Sequence, residues 1–285
     1  MFTIQLFGQF DARINDVPVV LPARPAQALL ARLALSPGAF HRRSKLIGDL
    51  WPDAPETNAR NNLRHALWRA RSAVIAAGGQ RCHILSDNIG IALNAQADIK
   101  IDVHEFYDAL MQSPASTEHL MRAATLYRGS LLPGFYEDWV ESERLRLEAI
   151  FDSAMARLVS LLQEQERWFD VVQWGTHWLS HNLLQESAYR ALMTAHAQRD
   201  DMACVHHTFR RCKAILRHEL VIEPSDTTLA LFQQLTCRAE NEHRAVVYTT
   251  PLPIHYARDN TLQQRRVLKP RVQRFIVPST AIGVN

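Results

Sequence analysis

Apolar and polar positions change their period along the chain, and each change marks a new kind of element. Thr3-Ile4-Gln5-Leu6-Phe7 alternates like a half-buried strand. Asn15-Asp16 reads as a turn, and Val17-Pro18-Val19-Val20-Leu21 as a second extended run closed by Pro22 and Pro25. The period then becomes helical. Pro25 suits a first helical turn, Leu29, Leu30 and Leu33 fall on one face, and Ser36-Pro37-Gly38 ends the helix. A second helix starts near Ser44, carries Leu46, Ile47 and Leu50, and breaks at Pro52-Asp53-Ala54-Pro55. A third spans about residues 57–77 and stops at Gly78-Gly79; short strands at 82–86 and 89–93 flank the turn Asp87-Asn88. Strands, three helices and a hairpin, in that order, are the layout of a winged helix.

From about Asp102 the pattern is helical almost throughout. A long helix is expected over 137–166, followed by shorter ones near 168–180, 185–198, 201–217 and 225–237, with polar breaks such as Ser180-His181-Asn182 and Arg199-Asp200-Asp201. Consecutive helices with short connections suggest an α-solenoid. The starts near Trp168 and Asp201 are separated by close to the ~34 residues of a tetratricopeptide period. After Glu240 the periodicity fades into scattered prolines and the basic run Arg265-Arg266, Lys269, Arg271, Arg274, which reads as a mostly disordered tail. The expected fold is mainly α: an α+β winged helix over 1–95, an all-α tetratricopeptide-like solenoid over 96–240, and a basic tail over 241–285.

Charge sharpens that division. The net charge of +3 over 285 residues conceals a basic block, 11 Lys/Arg against 6 Asp/Glu in residues 1–95. An acidic block follows, 14 against 21 in 96–240, and then the basic tail, 7 against 2. A basic block attracts a polyanion and an acidic one avoids it. No apolar run approaches the ~20 residues of a membrane span, and Met1–Gln5 lacks a basic stretch followed by an apolar one, so a cytoplasmic protein is expected. Four cysteines without CxxC spacing read as reduced thiols.

The basic block concentrates on the third helix. On a helical wheel, Ala59, Leu63, Ala66, Leu67, Ala70 and Val74 form one apolar stripe. The opposite arc carries Asn58, Asn61, Arg64, His65, Trp68, Arg69 and Ser72, with Arg60 and Arg71 on its flank, and no Asp or Glu occurs between Thr57 and Ser86. Solvated helix faces usually mix signs. A face without carboxylates, at the third-helix position, suits double-stranded DNA: guanidinium groups bind phosphates or guanine edges, and Asn pairs with adenine. The candidate DNA-contacting residues are therefore Asn58, Arg60, Asn61, Arg64, His65, Trp68, Arg69 and Arg71. Trp68 has two readings, a sugar or wing contact and packing on a neighbouring domain.

Four separate stretches then point to one family. They are Leu46–Asp53; Ala59-Arg60-Asn61-Asn62-Leu63-Arg64-His65-Ala66-Leu67-Trp68-Arg69-Ala70-Arg71; Leu126–Gly134 with Trp139–Arg144; and Glu219–Ser225. In this order, over about residues 2–237, the chain resembles the antibiotic-regulatory type of transcription activator of actinobacteria, whose second half is the bacterial transcriptional activator domain. Ala70 stands where that family often has Leu, and the wing is short. The resemblance implies an OmpR-like winged helix on promoter direct repeats, a dimer on tandem half-sites, and activation by recruiting RNA polymerase subunits.

Other chemistries have less support. Cys204, His206, His207 and Cys212 lie close in sequence, but helical spacing spreads them over different faces, and small buried cysteines in a repeat helix explain them; no metal or cofactor is expected. Glu137, Asp138, Glu141 and Glu143 suit a helix N-terminus. The chain contains no Gly-rich phosphate loop, G-x-S-x-G or HExxH, so nothing supports an enzyme. The competing reading is a protein-interaction scaffold, in which the basic helix and the solenoid bind protein partners.

Overall fold

The computed structural model describes residues 1–112 and 116–249. Its first element, β1 (Phe2–Gln5), buries Phe2 and Ile4 and pairs antiparallel with β2 (Asp11–Ile14), which continues into the short β3 (Val17–Pro18). On its other edge β1 pairs in parallel with β7 (Ile99–Ile101), in the register Phe2 with Ile99 and Ile4 with Ile101. The sheet order is thus β3-β2-β1-β7, and the strand that closes it lies almost one hundred residues downstream in the chain.

Between these strands come α1 (Arg24–Ala34), β4 (His41–Arg42), α2 (Arg43–Leu50) and α3 (Glu56–Ala76), then β5 (Ile84–Ser86) and β6 (Gly90–Leu93). Pro25 occupies the first turn of α1, where its missing N–H costs nothing. Strands β4, β6 and β5 form the second sheet, in that order. Gly90 lets β6 lie against β4, because a Cβ there would meet the His41 carbonyl oxygen at 2.4 Å. This is the expected winged helix, with three short strands that the alternation pattern did not reveal.

The second half is helical: α4 (Asp102–Met111), α5 (Thr117–Leu126), α6 (Asp138–Glu164), α7 (Trp168–His181), α8 (Glu186–Gln198), α9 (Met202–Glu219) and α10 (Asp226–Thr249). From α4 to α9 each packs chiefly on its sequence neighbours, as in a tetratricopeptide-like stack. Glycine at 175 permits the close approach of α7 to α8, since a Cβ would sit 3.0 Å from Leu192 Cδ2. Asp152 of α6 ties three helical segments together: one oxygen accepts from Trp178 Nε1 at 2.6 Å, the other from Asn182 Nδ2 at 3.0 Å and Gln185 Nε2 at 2.6 Å. The last helix, expected to end near residue 237, continues to Thr249; the rest of the tail assigned to 241–285 lies outside the described residues.

Residues Met1–Asn241 form a single compact unit. One hydrophobic cluster runs through both halves, from Phe2 to Leu216, and the polar chemistry at their junction is specific. Asp102, 5% exposed, accepts hydrogen bonds from the backbone N–H of Leu6 (2.9 and 3.0 Å), Phe7 (3.0 Å) and Val103 (2.9 Å), with Arg128 at 3.5 Å. Backbone bonds from Gly8 N–H to Ser130 (3.0 Å) and from Leu132 N–H to Leu6 (2.9 Å) extend the contact. Arg144 of α6 donates to the carbonyls of Leu131, Leu132 and Phe135, each at 3.1 Å, and pairs with Glu141. The Leu126–Gly134 and Trp139–Arg144 stretches are therefore the mortar between the halves.

Histidines lowered by burial, His41, His181 and His196, give the fold a pH dependence. Burial lowers His41, helped by Arg32 and Lys45, and burial lowers His181, helped by His177. A histidine lowered from its ordinary 6.5 is neutral in the folded state but protonates on unfolding, so its stabilising contribution is complete above pH 6.5 and is lost as pH falls below it. The melting temperature is expected to drop between about pH 7.5 and pH 5.5. The double variant His41→Gln/His181→Gln should flatten that drop, and an equally steep profile in the variant would refute the assignment.

Candidate nucleic-acid interface

Helix α3 is held by its apolar stripe. Ala59, Leu63, Ala66, Leu67, Ala70 and Val74 are all buried, as their spacing predicts, and they face α1, where Leu29, Leu30 and Leu33 are fully buried. Alanine at 59, 66 and 70 keeps that side of the helix slim, and the two helices approach closely. With this stripe fixed inward, the opposite arc must face solvent: Asn58, Arg60, Asn61, Arg64, His65, Trp68 and Arg69 are all exposed. Asn61, Arg64, His65, Trp68 and Ser72 follow the i, i+3, i+4, i+7, i+11 rows of one helical face. Trp68 is 66% exposed, so among the described residues its ring finds no packing site, which removes the intramolecular domain contact as its role.

The arc is less free of acid than the sequence suggests. The helix begins at Glu56, one residue before the expected start, and Glu56 forms an i,i+4 ion pair with Arg60. Arg60 is thereby held at the first turn, whereas Arg64 leans only on Asn61 Oδ1 at 3.3 Å and remains exposed.

Arg71, on the flank of that arc, is engaged by groups within the chain. Its Nη2 donates to the Ile84 carbonyl at 2.7 Å and to Ser86 Oγ at 2.9 Å, and its Nε reaches the same carbonyl at 3.2 Å. Burial, with Arg81 and Arg43 nearby, lowers its guanidinium from the ordinary value. It is a partly buried strut between α3 and β5. Removing it leaves the buried Ile84 carbonyl without this partner, so Arg71→Ala is expected to cost about 1–3 kcal/mol in chemical denaturation; an unchanged midpoint would show that the strut carries no load.

The wing is shaped by Asp87, which the sequence marked as part of a turn, and by Arg43, which it passed over. Asp87 Oδ1 accepts from the N–H groups of Ile89 (2.7 Å) and Gly90 (2.9 Å), which closes the turn. Arg43 Nε donates to the Asp87 carbonyl at 3.0 Å, and the Arg43 N–H to the Ile89 carbonyl at 3.0 Å, fastening the turn to the start of α2. Ile89 protrudes at the tip, 69% exposed. The Asp87-Asn88 pair signalled the turn; Arg43 gave no local signal, because its partner lies 44 residues away. The exposed bases Arg42, Lys45 and Arg81 complete a positive rim around α3 and the wing. The candidate interface is thus a helix with a polar, cationic outer face and a pinned hairpin beside it.

Among the described residues no helix is long and apolar enough to cross a membrane. The Cys204, His206, His207, Cys212 group is dispersed: Cys212 is fully buried, with burial pushing its thiol up to about 12, and His206 packs edge-on against Phe232.

Compared with known proteins, residues 107–236 match the model of the bacterial transcriptional activator domain. No curated protein matches the chain by sequence. Among solved structures, the chain is similar in fold to EmbR of Mycobacterium tuberculosis, solved in complex with a low-affinity phosphopeptide, with a TM-score of 0.65 at 20% identity over 87% of this chain and 69% of that one. Residues 107–236 of the helical half are thus similar to the bacterial transcriptional activator domain, and a winged helix precedes them in the fold.

Proposed function

We propose that the protein is a sequence-specific DNA-binding transcription activator. In this reading α3 enters the major groove of double-stranded DNA. Arg64 and Arg69 take guanine edges or phosphates, and Asn58 and Asn61 reach adenine. His65 and Trp68 lie along the sugar–phosphate walls, and Arg60 grips the backbone near the helix start. Arg71 and Arg43 act indirectly by fixing the wing, whose tip lies over the flanking groove. The observation that carries the proposal is the outer arc of α3, cationic and carboxylate-free beyond its first turn, beside a pinned hairpin with an exposed tip. The acidic helical half faces away from DNA in function and contacts RNA polymerase subunits, and two copies occupy tandem half-sites as a homodimer on direct repeats.

The test is binding of the full chain to DNA from upstream of its own coding sequence against a shuffled duplex, across a salt series. The expected result is a preference of at least ~10³-fold, with log affinity falling linearly in log salt at a slope of several phosphates. Absence of binding to either duplex at low salt would overturn the DNA-reading role of α3 and leave the protein-interaction scaffold in its place.

A further inference from the structure

The turn between α8 and α9 gathers three metal-binding side chains that the DNA-reading function does not use. A ring nitrogen of His196, a carboxylate oxygen of Asp201 and the Cys204 sulfur lie within 4.8 Å of one another. We propose that His196, Asp201 and Cys204 form a three-ligand site for a thiophilic divalent cation of the zinc type, with water as the fourth ligand. The donor set is imidazole, carboxylate and thiolate, a mixed N/O/S group that zinc accepts in tetrahedral geometry. Tetrahedral ligands stand roughly 3.5 Å apart at ordinary zinc bond lengths, so side-chain rotations alone bring the three atoms into range.

Two observations support a ligand over a chance cluster. Among the described residues the buried Nδ1 of His196 has no hydrogen-bond partner, and a buried polar nitrogen left unpaired is costly. The backbone also holds the three residues close. Asp200 takes a left-handed φ of 58°, and the Asp201 N–H donates back to the His196 carbonyl at 2.9 Å, folding the start of α9 onto the end of α8. Asp201 Oδ1 caps α9 by accepting the Cys204 N–H at 3.0 Å, which holds the carboxylate at the start of the helix that carries the thiol.

On binding, the thiol S–H bond breaks, its proton leaves to solvent, and sulfur donates its lone pair to the metal; carboxylate and thiolate together then balance the 2+ charge. The sequence reading weighed Cys204 only with His206, His207 and Cys212 on its own helix and expected no metal; the residues gathered around it lie on the preceding helix and at the cap.

The experiment is a titration of the full reduced chain with Co2+, read by thiolate-to-cobalt charge-transfer absorption and the intensity of the visible bands, followed by displacement with Zn2+. One ion per chain, tetrahedral band intensity, one proton released per ion and a higher melting temperature with zinc are expected. Cys204→Ser and His196→Ala should each weaken binding at least ~10-fold. Asp201→Asn, which preserves the cap and hence the fold, should do the same. The variant Cys82→Ser/Cys237→Ser removes the exposed thiols and should bind as the parent does. Absence of charge-transfer intensity overturns the proposal, as does undiminished binding in Asp201→Asn and Cys204→Ser, or loss of the signal in Cys82→Ser/Cys237→Ser.

Discussion

The double variant Arg64→Ala/Arg69→Ala is expected to lose operator DNA by about 2–6 kcal/mol, roughly 30-fold or more, while unfolding at the same denaturant concentration as the parent. Both guanidinium groups stand on the outer arc of α3 and are exposed. Neither supports the apolar stripe that holds the helix on α1, so the fold does not depend on them. Each guanidinium that pairs with a guanine edge discriminates by about 1–3 kcal/mol, and well-separated contacts add. Binding to a shuffled duplex should fall less, because only the phosphate share of each contact is lost there. Equilibrium binding to matched and shuffled duplexes, with chemical denaturation as control, separates the outcomes. If operator affinity is unchanged, the base-reading role belongs elsewhere; if both duplexes lose equally, these arginines hold phosphates only.

Replacing Asp102 by alanine should lower the unfolding free energy by about 2–5 kcal/mol, with both halves affected together. The carboxylate satisfies N–H groups of Leu6, Phe7 and Val103 in a buried setting, and alanine leaves them without an acceptor. Burial pushes the Asp102 carboxyl above its ordinary range, against the pull of those N–H groups and of Arg128. That direction shows desolvation winning, so the charge is itself under strain and part of the loss is refunded when it is removed. The half-exposed Arg128 contributes little. Asn at 102 is not a rescue, since its NH2 would face backbone donors. Urea unfolding followed by tryptophan fluorescence provides the measurement; a loss under ~1 kcal/mol would mean that packing alone joins the halves.

What the sequence disclosed and what it hid follow from the range of the forces involved. The buried stripe from Ala59 to Val74 was legible because a helix writes its core contact at a fixed local period. The exposed arc came with it, as did the helical stack and its breaks. Strands β4 and β7 were not legible: two and three residues are too short to show alternation, and β7 exists because β1 offers it an edge. The contacts of Arg71 within the chain were hidden for a related reason. Its helical position placed it on the flank of the arc, but the carbonyl of Ile84 and the hydroxyl of Ser86, contributed by another element, decide what it does. The pairing of Arg60 with Glu56 depended on where the helix starts, and a shift of one residue brought an acid into the first turn.

The parallel pairing of β1 with β7 has a practical consequence for anyone who wishes to cut the molecule. A fragment ending at residue 95 would lack Ile99–Ile101 and leave the hydrogen-bonding edge of Phe2–Ile4 bare. Open edges of that kind recruit other copies, and the truncated product is expected to elute as soluble aggregates or swapped dimers instead of a monomer. A DNA-binding fragment that behaves well would have to carry its own plug for that edge, which makes the first strand of this protein a lodger in a sheet that its second half completes.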